Sequence, residues 1–123
     1  SADLPTSRQR AVRAAVQLAD SIQDAVIVVF TRSGATANQT ALLRPRSPIY
    51  AFSPDTSVCR GLALSRGVRP FVIPFHEIPR ETIAAAVNTL RNRRDIPEGT
   101  PLVIFSDTFQ IDRAVDSILL DHA

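Results

Sequence analysis

The sequence predicts an α/β fold built on a mainly parallel sheet, and three observations carry that prediction. First, four short apolar runs stand uninterrupted at Val26–Phe30, Ile49–Phe52, Pro70–Ile73 and Leu102–Phe105. A strand covered on both faces reads in this way, whereas a half-exposed strand alternates. Second, segments with apolar residues at helical spacing separate these runs. Alternating helices and strands imply a parallel sheet with right-handed crossovers. Third, the chain has 123 residues, 45% of them apolar, with no internal repeat, low-complexity segment or linker. One domain spanning residues 1–123 is the expectation.

Taken in order, Pro5-Thr6-Ser7 supplies capping hydroxyls, and an amphipathic helix runs from there to about Ser21. Its apolar stripe is Ala11, Val12, Ala15, Val16, Leu18, Ala19 and Ile22; Arg8, Arg10, Arg13 and Gln17 fall opposite. The first strand is Val26–Phe30. Gly34 permits a tight turn, and Ala35–Leu43 reads as a short helix. Pro45 ends it by disfavouring helical geometry at the residue before. After the strand at Ile49–Phe52, Ser53-Pro54-Asp55 is a helix start, with Pro54 in the first turn. Val58, Leu62 and Leu64 give that helix an apolar face, and Gly67 stops it as a C-cap glycine. Pro74 closes the third strand. Pro79 opens a helix to about Arg93, with Ile83, Ala86, Val87 and Leu90 on one side. Residues 95–100 form a turn into the fourth strand. The tail, residues 114–123, fits a helical spacing and a weak strand alternation alike; local pattern leaves both open.

Composition excludes several chemistries. All 14 basic residues are arginine, so neither a Schiff-base lysine nor a P-loop lysine exists in this chain. The glycine patterns of P-loop kinases and dinucleotide-binding domains are missing too. Net charge is +2, and the arginines spread along the sequence rather than gathering as in nucleic-acid binders. The tight pairs Arg44/Arg46 and Arg93/Arg94 read as solvated surface or ion pairs. No apolar run reaches the roughly 18 residues a membrane helix needs. The first residues lack the marks of a secretion leader, and Cys59 is the sole cysteine. A reducing compartment, the cytoplasm, is the expectation.

The most informative stretch is the junction between the first strand and the second helix. Ala25 to Phe30 is apolar, and Thr31-Arg32-Ser33-Gly34-Ala35-Thr36 comes next. A segment directly after a parallel strand sits at the carboxyl edge of the sheet, where open α/β sheets bind ligands. Thr31, Ser33 and Thr36 carry hydroxyl donors, and Arg32 can form a charge-assisted bond of about 1.5–3 kcal/mol. Gly34 lets the backbone approach closely. The helix start adds unpaired N–H groups and the positive end of a dipole. Such a set suits a phosphate. The competing reading is local: Thr31 or Ser33 caps the helix, and Gly34 makes the turn.

Other polar residues point less clearly to chemistry. His76-Glu77 is a pair without further ligands and reads as a surface loop. His122 lies in the tail and reads as structural or exposed. Cys59 has apolar helix neighbours and no evident histidine partner, so it reads as a small buried residue. Asp107 and Asp112 are too loosely tied to form a general acid/base pair.

The segments resemble, in order and wording, the C-terminal domain of pyruvate kinase. The likeness begins at residues 25–37, continues through Leu43-Arg44-Pro45-Arg46-Ser47-Pro48-Ile49-Tyr50-Ala51-Phe52-Ser53, and is strongest at Cys59-Arg60-Gly61-Leu62-Ala63-Leu64-Ser65-Arg66-Gly67-Val68-Arg69-Pro70. The resemblance implies a three-layer α/β/α domain whose five-stranded, mainly parallel sheet ends on an antiparallel strand. The tail is then a strand from about Val115 to Leu120. It implies a regulatory and oligomerisation domain that binds a phosphorylated effector at Thr31, Arg32, Ser33, Gly34, Ala35 and Thr36. It also implies partners: the catalytic barrel domain of a parent enzyme and further copies of the chain, with the first helix and last strand in the contacts. Nucleic acid and membrane are not expected. The family's magnesium and potassium ions sit in the barrel, so this domain is expected to hold no cofactor, metal or catalytic residue and to be inactive alone. Effector-binding members close a glycine-rich loop over the sugar after the fourth strand. Here that stretch is Ser106-Asp107-Thr108-Phe109-Gln110-Ile111-Asp112-Arg113, without glycine and with two carboxylates. Ser106, Asp107, Thr108 and Arg113 are its candidate effector contacts, with Arg113 offsetting the carboxylates. The alternative is a free-standing phosphate-ester-binding domain of the same fold.

Overall fold

The structure, a computed structural model, describes residues 7–106 and 117–123. In chain order the elements are α1 (Ser7–Asp20), β1 (Val26–Phe30), α2 (Ala35–Leu42), β2 (Ile49–Ser53), α3 (Thr56–Leu62), β3 (Val68–Val72), α4 (Pro79–Arg91), β4 (Pro101–Ser106) and β5 (Ser117–His122). They form one five-stranded sheet in the order β3-β2-β1-β4-β5. The β1–β2, β2–β3 and β1–β4 pairs are parallel, and β5 runs antiparallel to β4.

The central strand explains the apolar runs. All five residues of β1 are buried, because helices cover both faces of the sheet. Ile27 and Val29 face one side, packing with Val12, Ala15, Val16 and Ala19 of α1, Ala37 of α2 and Leu62 of α3. Val26, Val28 and Phe30 face the other, with Ala86, Val87 and Leu90 of α4 and with Tyr50 and Phe52 of β2. The buried residues of α1 recur at intervals of three and one, a single stripe on a 3.6-residue helix. This is the three-layer α/β/α arrangement.

The order in which strands are added reverses at β1. The strands β2 and β3 are laid to one side of it, beneath α2 and α3, whereas β4 is laid on the other side after α4. A switch point therefore lies between β1 and β4. In doubly wound sheets that is where a crevice opens at the carboxyl edge.

Several expected boundaries need correction. The third strand starts at Val68, not Pro70, and ends at Val72. As an edge strand it tolerates a proline and an arginine that a central strand would not. Asp55, not Pro54, opens α3: its side chain accepts from the N–H groups of Ser57 and Val58, so Pro54 lies outside the helix. Gly67 does not end α3. The helix stops at Leu62, and Gly67 (φ 81°) serves the later turn into β3. Leu64 is 89% exposed and contributes nothing to the apolar face. The helices expected to reach Leu43 and Arg93 end at Leu42 and Arg91. The last strand is Ser117–His122; residues 115 and 116, like Pro5 and Thr6, lie outside the described residues.

Candidate functional site

At the carboxyl end of β1 the chain makes a tight local turn into α2. Thr31 continues the sheet for one more bond, donating its N–H to Phe52 O at 2.9 Å. Its side chain is buried, and Oγ1 accepts from the Gly34 N–H at 2.8 Å. Ser33 Oγ accepts from the Ala35 N–H at 3.3 Å. Gly34 is the N-cap of α2 with φ 92°, a conformation costly for any residue with a Cβ. A Cβ there would also lie 3.3 Å from Val58 Cγ1 and 3.6 Å from Leu62 Cδ2. Glycine is thus required twice, by the turn and by the close approach of α3.

The expected loop residues separate into four groups. Ser33 and Gly34 line a shallow depression of about 440 Å³, together with Asn38 of α2 and Ser57, Gly61 and Ser65 on the α3 side. Thr31 and Thr36 are buried and do not line it. Arg32 is exposed and lies over Phe75, with Cζ 5.0 Å from the ring centroid; it does not line the depression. Ala35 is half-buried. Ser106 ends β4 and pairs in register with Phe30, beside Thr31 at the switch point, and is itself buried. Asp107, Thr108 and Arg113, the rest of the expected effector loop, lie outside the described residues, as does Asp112.

The depression is polar on its far wall. Ser65 Oγ donates to Asn38 Oδ1 at 3.1 Å, which ties α2 to the end of α3. Ser57 Oγ donates to Asp55 Oδ1 at 2.7 Å. That bond, with the two backbone N–H donors of the cap, holds the Asp55 carboxyl below the usual aspartate range. Asn38, Ser57 and Ser65 escape sequence reasoning because three separate stretches supply them. Only the packing of α2 beside α3 brings them to Ser33.

The remaining polar residues stand apart from this site. His76 and Glu77 are exposed in the β3–α4 loop, where the His76 N–H donates to Thr82 Oγ1 at 2.8 Å. His122 is exposed on β5, and its carbonyl accepts from Arg91. Cys59 is buried in α3, and burial pushes its thiol pKa up, the opposite of an activated nucleophile. Among the described residues no three His, Cys, Asp or Glu side chains gather as metal ligands would. No described helix is long and apolar enough to cross a membrane.

Sheet order and the β1–α2 turn together define a doubly wound α/β domain with a hydroxyl-rich loop at its switch point. Residues 9–117 match the family model described as pyruvate kinase, alpha/beta domain. Pyruvate kinase 2 of Synechocystis sp. is 32% identical over 106 residues, 85% of this chain and 18% of the relative. Pyruvate kinase of Eimeria tenella is 34% identical over 100 residues, 80% of this chain and 19% of the relative. A crystal structure of pyruvate kinase from Pyrobaculum aerophilum superposes with a TM-score of 0.75 at 28% identity, covering 97% of this chain and 24% of that one. The chain belongs to the pyruvate kinase family and is its C-terminal α/β domain. It spans about a fifth of the length of the curated relatives it matches.

Proposed function

We propose that this chain is the regulatory and oligomerisation domain of a pyruvate kinase, and that a phosphorylated small molecule binds at residues 31–36. The parent enzyme would transfer phosphate from phosphoenolpyruvate to ADP, with its metal ions and catalytic groups outside this domain. The observation that carries the reading is the β1–α2 turn: a helix N-terminus and two hydroxyl side chains, at the switch point of a family member's sheet. Ser33, which is exposed, accepts a local N–H with one lone pair and keeps its O–H proton to donate, while the buried Thr31 acts by fixing the Gly34 N–H. The first turn of α2 adds the positive end of a helix dipole, worth about 0.3–1 kcal/mol per exposed charge. Arg32 would have to leave Phe75 to reach a ligand in the Ser33–Gly34 depression. That stacking is worth about 0.5–1 kcal/mol at an exposed site, less than a charge-assisted bond to phosphate returns.

Self-association fits the edge strand. Ile118, Leu119 and Leu120 of β5 are 37%, 45% and 50% exposed, an apolar run on a strand that pairs only with β4 among the described residues. Such edges invite pairing with another strand. A cytoplasmic location belongs to the same proposal and rests on the lone, buried Cys59.

Calorimetric titration with fructose 1,6-bisphosphate, ribose 5-phosphate and AMP tests the effector reading. Saturable heat with at least one of them, lost in a Ser33→Glu variant, is expected. No heat with any, and no protection against thermal unfolding, would reject it.

A further inference from the structure

Four arginines converge at the opposite edge of the sheet from the 31–36 loop. Arg44 and Arg46 precede β2, while Arg66 and Arg69 flank the start of β3. All four line one cavity of about 590 Å³, floored by Pro48 and Ile49, and no carboxylate of the described residues lines it. That concentration is out of proportion to a chain whose net charge is +2.

Two of the four guanidiniums are already engaged. Arg69 donates to Asp95 Oδ2 at 2.6 Å and to Tyr50 OH at 3.0 Å, and Arg46 donates to the Asp20 carbonyl at 3.3 Å. Arg44 and Arg66 have no side-chain hydrogen bond or ion pair to any described residue. Arg44 also sits at φ 49°, an uncommon conformation for a residue with a Cβ, directly after the C-cap of α2. The carbonyl ends of α2 and α3 lie toward this edge, each worth about half a negative charge. Asp95 pairs with Arg69 and the Asp20 carboxylate accepts the Arg46 backbone N–H at 3.0 Å, so Arg44 and Arg66 carry the charge in excess of these. Guanidinium is the side chain suited to bidentate binding of phosphate oxygens, and a cavity of this size is that of a small-molecule site.

We propose that this arginine-lined cavity binds a small ligand carrying clustered phosphates, a pyrophosphate or an organic diphosphate, at a site separate from the 31–36 loop. Arg44 and Arg66 supply the free charges. Arg46 and Arg69 are held in place by their bonds to Asp20, Tyr50 and Asp95. The two sites lie at opposite ends of β2, a five-residue strand about 16 Å long. One ligand phosphate cannot contact both.

The test is calorimetric titration of the 123-residue chain with inorganic pyrophosphate and, separately, orthophosphate at low ionic strength. Pyrophosphate binds one to one, at least tenfold tighter than orthophosphate, and weakens as salt is raised. The double variant Arg44→Gln/Arg66→Gln loses at least tenfold in affinity with its unfolding midpoint unchanged, because neither side chain is bonded to the fold. Ser33→Glu, which removes the loop site, binds pyrophosphate as the parent does. Absence of saturable pyrophosphate binding, or equal binding by the double glutamine variant, would overturn the proposal. Binding lost in Ser33→Glu alone would likewise overturn it and assign the ligand to the loop.

Discussion

The N–H of Gly34 donates to the buried Oγ1 of Thr31 at 2.8 Å, so the residue that ends β1 also fixes the start of α2. One hydroxyl thereby sets the shape of the loop proposed to hold a phosphate. Thr31→Val keeps the side-chain shape and leaves a buried N–H without its acceptor, at a cost of about 1–3 kcal/mol. Thr31→Ser restores the acceptor and recovers most of the loss. Urea unfolding of the two variants checks this, and equal midpoints for Thr31→Val and the parent would contradict it.

Gly34→Ala costs more stability than Gly99→Ala, although the two glycines have similar φ of 92° and 85°. The shared left-handed conformation costs about 1–2 kcal/mol for an alanine. At Gly34 the new methyl also presses on Val58 Cγ1, whereas nothing lies within 4 Å of a Cβ at Gly99. Thermal unfolding of both variants reads the difference; an equal loss would mean α3 gives way freely.

The strand and helix order was legible because buried parallel strands print themselves as apolar runs. Val26–Phe30 is correct to the residue for that reason. Val68 and Arg69 were not legible as strand because β3 lies at an edge, where the pattern is irregular: of its five residues only Val68 is buried. The tail could not be decided locally. Its strand is held by antiparallel register with β4, Leu120 opposite Val103, which is a long-range fact. The loop at 31–36 was visible as chemistry but not as geometry. Nothing in the sequence places Arg32 on Phe75, 43 positions away, or gathers Asn38, Ser57 and Ser65 beside Ser33. The arginines of the opposite edge read as scattered surface charge until β2 and β3 lay side by side.

Asp55 is expected to contribute to acid sensitivity. Its carboxyl accepts from Ser57 Oγ and from two N–H groups of α3, and its pKa is lowered in the folded state. A depressed carboxylate contributes stability that is complete above its unfolded pKa, about 3.9, and is lost as pH falls through the lower folded value. Asp55→Asn removes that charge, so its unfolding midpoint falls less than the parent's between about pH 6 and about pH 3. An identical acid dependence in both proteins would remove Asp55 from the account.

The exposed edge of β5 predicts association through Leu119 and Leu120. Sedimentation of the parent is expected to show self-association at micromolar concentration, and Leu119→Lys/Leu120→Lys is expected to shift it to monomer with secondary structure retained. A parent that sediments as a monomer throughout would contradict the proposed oligomerisation role.

The most direct test of the central claim is a nitrogen–proton correlation spectrum of the chain, recorded while fructose 1,6-bisphosphate, ribose 5-phosphate or AMP is added. Saturable shifts concentrated on the backbone amides of Ser33, Gly34, Ala35 and Thr36 with one of the three are the predicted result. Unmoved amides in that turn at millimolar concentrations of all three would contradict it.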